Sequence, residues 1–230
     1  MKYSVLIPYK ADFGRRDYLW SYVFNRYKQL LPQLELCVGV HQNEPFCKAK
    51  AINDAAKKAN GGVFIIADSD VVFDVTLVEK IDALIRKHPW IIPFRSGIRL
   101  TETATDRLIK QGLPAIIQIE PEEILQREAI AGAFMNVITR ACFEVVGGLD
   151  ERFKNWGGED DALAMALDTL CGRHYRLDGV IYHLWHPPAG PEHEYYDDNI
   201  RLFQQYKAAS GDPASMRQLI QERCNSGNAL

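Results

Sequence analysis

Apolar residues cluster early in the chain into short unbroken runs. "YSVLIPY", "LELCVGVH" and "GVFIIADSD" are each continuous in hydrophobicity and end in polar residues, the pattern of strands covered on both faces of a parallel sheet. Between them, "RRDYLWSYVFNRYKQLL" and "FCKAKAINDAAKKAN" space their apolar positions as amphipathic helices do, and Asn60-Gly61-Gly62 stops the second. With a third helix expected in "TLVEKIDALIRKHP", the first 90 residues alternate β-α-β-α-β-α. Such a Rossmann-like half gathers ligands at the carboxyl ends of its strands.

After the strand "WIIPF" the pattern loosens. Residues Arg95 to Gln126 read as turns, a short helix and a short strand, "AIIQIE". Then come a strand "GAFMNVIT", a helix "RACFEVVGG" stopped by its glycine pair, a helix within "NWGGEDDALAMAL" and a strand "VIYHLWH". From Tyr195 onward the pattern predicts two helices, broken at Gly211-Asp212-Pro213. No repeat, low-complexity tract or linker divides the chain, so one α/β domain is expected, with a mixed, mainly parallel central sheet flanked by helices.

Composition narrows the function. The 230 residues, 47% hydrophobic, suffice for one large core. With 27 basic and 30 acidic residues the net charge is -3, too weak a field to draw nucleic acid or an anionic membrane surface. A small-molecule or neutral partner fits better. The five cysteines form no C-x-x-C pair, and an odd number argues against a complete disulfide framework and for a reducing compartment. The first apolar run is too short for a signal peptide and no later run spans a bilayer, so a cytoplasmic setting is expected.

Three stretches carry chemistry. Asp68-Ser69-Asp70 closes the most apolar strand; if the backbone stays extended, both carboxylates face one side and suit Mg²⁺ or Mn²⁺, although acids at a strand end also serve as plain loop solvation. His183 and His186, in "IYHLWHPP", offer one imidazole ligand or two, or else one core histidine and one solvated. In "NWGGEDD", Trp156 presents a flat apolar face of the kind that stacks on a sugar, and Gly157 and Gly158 permit close backbone approach. Glu159, Asp160 and Asp161 then fall at a helix start, where the helix dipole favours ionised carboxylates and one can act as a base. Capping explains one acid, not three.

The segment "GAFMNVITRACFEVVGGLDERFKNWGGEDDALAMAL" resembles the carboxyl-terminal catalytic segment of the β-1,4-galactosyltransferase and polypeptide N-acetylgalactosaminyltransferase group, and "IPYK", "FCKAKAIND" and "ADSD" precede it in the order expected of a GT-A glycosyltransferase. The resemblance runs from about Tyr3 to His186. It implies a nucleotide-binding half over 1–95, an acceptor and catalytic half over 96–190, and a helical tail over 191–230. By the same resemblance, Asp68 and Asp70 hold the diphosphate of a UDP-sugar through Mn²⁺ or Mg²⁺, with Asp70 the direct ligand, Asp68 nearer the ribose, and His183 or His186 completing the set. Pro8, Tyr9, Lys10, Phe46 and Lys48 match donor-pocket positions, and Gly132 and Ala133 a small pair beside the donor sugar. Lysine stands at 10 and 48 where the galactosyltransferases usually carry arginine, which removes bidentate phosphate contact; Arg15 and Arg16 either compensate or are simply solvated. Asp160 matches the base of the inverting enzymes, Glu159 a donor-sugar contact, and Trp156 and Asp161 acceptor or sugar contacts.

The implied activity is a metal-dependent inverting glycosyltransferase acting on a carbohydrate or other hydroxyl-bearing acceptor. A nucleotidyltransferase or diphosphate hydrolase on a similar sheet leaves W-G-G-E-D without a task. A nucleotide-sugar binding protein without turnover leaves the base without one.

Overall fold

The structure, a computed structural model, describes residues 1–128, 132–187 and 193–227, with side chains as far as Arg223 in the last stretch. Its first half follows the expected alternation. Strands β1 (Tyr3–Tyr9), β2 (Glu35–Val40) and β3 (Val63–Ala67) pair in parallel in the order β2-β1-β3. Helices α1 (Arg15–Leu30) and α2 (Lys48–Lys58) make the crossovers. All five residues of β3 are buried, which is why its sequence shows no polar alternation. Helix α2 packs through Ile52 and through Ala49, Ala51, Ala55 and Ala56, four small residues that let it lie close to the sheet.

The chain continues through β4 (Val71–Phe73), α3 (Leu77–Leu84), β5 (Trp90–Ile92), β6 (Ser96–Leu100), α4 (Glu102–Lys110) and β7 (Ile124–Glu128). Strand β8 (Met135–Thr139), helices α5 (Arg140–Val145) and α6 (Glu159–Leu170), and strands β9 (Tyr175–Arg176) and β10 (Val180–His183) follow. Helices α7 (Tyr196–Ala209) and α8 (Pro213–Gly227) close the fold on either side of the expected break. The main sheet runs β2-β1-β3-β8-β5-β9, with β8 antiparallel to both neighbours. A second sheet, β4-β10-β6-β7, stands beside it. One apolar cluster, extending in sequence from Tyr3 to Leu219, underlies both.

Two local expectations need correction. "AIIQIE" is not a strand among the described elements. The buried Arg26 guanidinium donates to the carbonyls of Pro114, Phe73 and Ala115, while Asp74 Oδ1 accepts from the Ile117 amide at 2.7 Å. Side chains, together with a backbone bond from the Val75 amide to the Ala115 carbonyl at 3.1 Å, therefore satisfy this backbone and no ladder forms. The extended reading of Asp68-Ser69-Asp70 also fails: β3 ends at Ala67 and the chain turns, with the Val71 amide donating to the Asp68 carbonyl at 3.3 Å. The turn carries the chain into the second sheet, a change of partner that no local pattern encodes.

Candidate active site

The turn after β3 separates the two aspartates. Strand β4 pairs antiparallel with β10, placing Val71 opposite His183, and the Leu184 amide donates to the Asp70 carbonyl at 2.9 Å. Asp70 therefore sits beside both histidines. Its Oδ1 lies 3.4 Å from His183 Nε2 and its Oδ2 lies 3.1 Å from His186 Nε2. The three residues can present one ligand atom each within 4.8 Å of one another. Burial alone raises the Asp70 pKa, but the neighbouring histidines and Arg16 outweigh it and hold the carboxyl well below its usual range. Burial pushes His183 down, leaving a neutral imidazole with a lone pair to offer. Asp70 Oδ1 is buried without a hydrogen-bond partner, an orphan acceptor that a cation would satisfy. One carboxylate and two imidazoles form a donor set that fits Mn²⁺.

Asp68 faces away from this corner, toward α2. Lys48, the first residue of that helix, places its Nζ 2.9 Å from Asp68 Oδ1, 2.8 and 3.1 Å from the two oxygens of Asp160, and 3.9 Å from Glu159 Oε1. Burial, with Glu159 and Asp68 adding to it, outweighs the pull of the Lys48 ammonium and raises the Asp160 pKa to about 8. The same acids hold Lys48 protonated, well above its usual value, against the opposing effect of burial. Asp161, one position further round α6, is raised by burial and by Glu159.

The turn before α6 is held by backbone geometry. Asn155, Gly157 and Gly158 have φ of 54°, 119° and 95°, a left-handed path that glycine adopts at little cost. Asn155 exchanges two hydrogen bonds with Phe46, its amide donating to the Phe46 carbonyl at 2.7 Å and its Oδ1 accepting from the Phe46 amide at 3.0 Å. The buried Asn199 of α7 donates to the carbonyls of Lys154 and Trp156 and accepts from the Lys154 amide. Trp156 is 49% exposed and stacks parallel on Tyr196, with ring centroids 6.3 Å apart. Gly132 lies beneath α6, where a Cβ would come within 2.6 Å of the Asp160 carbonyl oxygen.

Both groups open into one cleft of about 1110 Å³. Pro8, Lys10, Phe46, Lys48, Asp68, Asp70, Ala133, Trp156, Glu159, Asp160, His183 and His186 line it. Tyr9, Gly132 and Asp161 do not. Tyr9 alternates to the other side of its strand, where its hydroxyl donates to Asp17 at 2.8 Å. Lys10 pairs with Glu44 and stands 6.0 Å from the Phe46 ring centroid. Of the two arginines, Arg15 is paired with Asp106 at 2.7 Å, whereas Arg16 lines the cleft with Nη2 3.4 Å from His186 Nδ1. Arg99, Gln126, Trp185 and His193 also line it without having been anticipated. Arg99 and Gln126 come from β6 and β7, strands that the sequence pattern does not announce; Trp185 and His193 lie in irregular segments beside recognised motifs.

Comparison with known proteins bears on the fold. Residues 121–187 match a family model described as the N-terminal domain of galactosyltransferase, a span that contains the Gly132–Leu167 segment. A crystal structure of GalNAc-T7 with UDP, GalNAc and Mn²⁺ aligns at a TM-score of 0.53 and 15% identity, covering 97% of this chain and 54% of that one, so the protein spans about half of that enzyme. TarS residues 1–349 from S. aureus align at 0.50 and 15% identity, covering 98% and 71%. The catalytic domain of Drosophila β1,4-galactosyltransferase 7, in complex with xylobiose, gives 0.47 and 15% identity, covering 80% and 71%. No sequence among the curated proteins matches. The chain has the fold of the GT-A glycosyltransferases. Within that class its segment 121–187 is galactosyltransferase-like.

Proposed function

We propose that the protein is a metal-dependent, inverting glycosyltransferase that moves a sugar from a UDP-sugar to an acceptor hydroxyl, with Asp160 as general base. The observation that carries this reading is the convergence of the Asp70-His183-His186 corner and the Asp160 carboxylate on one cleft. Ligand pockets commonly measure about 300–1,000 Å³. A cleft of about 1110 Å³ therefore has room for a nucleotide sugar and part of an acceptor.

Asp70, His183 and His186 would hold Mn²⁺, whose charge, when it is bound, stabilises the leaving diphosphate. Pro8, Lys10 and Phe46 line the nucleotide end, and Tyr9 supports that strand from behind. Ala133 and Glu159 flank the donor sugar, while Gly132 leaves the space that lets the Asp160 backbone settle. Trp156, half-exposed on the rim, gives the acceptor sugar a flat face, and Asp161 steadies the first turn of α6. Asp160 takes the acceptor O–H proton as that oxygen bonds to the anomeric carbon. The bond from that carbon to the diphosphate oxygen breaks, and UDP departs with the electron pair. Among the described residues four cysteines are free, three of them buried, which supports a reducing, cytoplasmic setting. Among the described residues no helix is long and apolar enough to cross a membrane.

The test is a panel of UDP-sugars with Mn²⁺, read by thermal shift and sugar release. Asp70→Ala is expected to abolish metal-dependent stabilisation by UDP. Asp160→Asn is expected to keep that stabilisation and lose transfer by about a hundred- to ten-thousandfold, the usual contribution of a general base. Transfer at the normal rate by Asp160→Asn would remove it from the role of base.

A further inference from the structure

Lys48 is better placed to serve the base than the nucleotide. An ammonium has three N–H groups. Nζ donates to the two oxygens of Asp160, at 2.8 and 3.1 Å, while Asp68 Oδ1 stands 2.9 Å from it as an ion-pair partner. The ammonium charge is thus already engaged by two carboxylates. The side chain is only 14% exposed, so water does little to screen these pairs.

The root of Lys48 is fixed relative to α6 by contacts outside the acid cluster. Cys47 caps α2, its sulfur accepting from the Lys50 amide at 3.4 Å, and the same Sγ lies 3.5 Å from the carbonyls of Glu151 and Phe153. Phe46 and Asn155 exchange their two backbone-anchored bonds immediately beside it. The start of α2 is thereby fastened to the segment that leads into Asp160.

We propose that Lys48 is a positioning residue for the base, its ammonium fixing both oxygens of the Asp160 carboxylate and linking it to Asp68, and that it is not a contact to the donor phosphates. This rests on the reading of Asp160 as the base. The charged groups that face Asp160 are Lys48 from α2, Asp68 from the turn after β3 and Glu159 from its own helix. Lys48 is the one cation in that set, so its removal leaves the carboxylate among like charges.

The experiment compares the full chain with Lys48→Met in two readouts that need no turnover. One is the ¹³Cγ titration of Asp160 by NMR, assigned with Asp160→Asn. The other is calorimetric UDP affinity in Mn²⁺. The expected result is a titration midpoint moved to higher pH, with UDP affinity within about threefold of the parent. A lost charged phosphate contact would instead cost about ten- to a hundredfold in affinity. A loss of UDP affinity beyond threefold, or an unmoved midpoint, overturns the proposal. If the methionine variant does not fold, Lys48→Gln removes the charge while keeping N–H donors and reads the same two quantities. A protein that transfers sugar from no UDP donor defeats the glycosyltransferase reading, while titration and binding still decide the role of Lys48.

Discussion

An aspartate that shares a buried site with two other carboxylates keeps its proton longer than one in water, and Asp160 is in that position. Only its ionised form can accept a proton. With the pKa raised to about 8, kcat/KM should climb with pH and level off above that value, a profile that steady-state rates across pH 6 to about 9.5 would trace. A rate that is flat through this range removes Asp160 from the limiting proton transfer. The tryptophan, the glycines and the three acids could be singled out from sequence because their types are unusual together. Which acid would face the cleft could not. Asp160 and Asp161 are chemically identical neighbours, and the roughly 100° of rotation between successive helix positions sends one into the cleft and the other away from it.

At the level of elements, the site depends on how the loop from 149 to 158 is held against the last two helices. Asp150 is buried in that loop. Burial raises its pKa, but the paired guanidinium of Arg152 and the charge of Arg223 on α8 prevail and hold it below the ordinary carboxylate range. Tyr206 of α7 donates to the same carboxylate at 2.9 Å. A depressed native pKa means that this stabilisation is complete above the unfolded value, about 3.9, and is lost as pH falls through the lower native value. Breaking such a buried arrangement by removing one partner typically costs about 3–5 kcal/mol. Asp150→Asn should therefore lower urea stability at pH 7 by an amount of that order, and the deficit should shrink on acidification. An equal deficit at pH 7 and pH 3 would mean that charge is not what Asp150 contributes. The helices were legible because their apolar spacing is local; β4, β6, β7 and β9 were not. β4 has three residues and β9 two, too few to show a period, and β6 and β7 make a register shift between Arg99 and Leu100.

Across the whole molecule, a cation site assembled from β10 and the turn before β4 should couple metal binding to folding, because the unfolded chain has no such site. A ligand at a hundred times its Kd adds about 2.7 kcal/mol, and in a chain of this size 1 kcal/mol moves Tm by about 2–4 °C. Saturating Mn²⁺ should accordingly raise Tm by about 5–11 °C over the chelated protein, and the His183→Ala protein should lose most of that rise. No difference between the metal-loaded and chelated proteins would exclude a folded-state cation at this corner. What the sequence determined by itself is the parallel β-α-β half, the helical tail and the residue types gathered in W-G-G-E-D, since each follows from period, composition or capping among near neighbours. What only the tertiary structure decided is partnership: Asp70 with two histidines more than a hundred residues away, and Lys48 with an aspartate 112 positions along the chain. A pattern of hydrophobicity states which face of an element is buried. Which distant side chain meets it follows from strand order and from the turn at 68–70, and those are set by packing of the whole core.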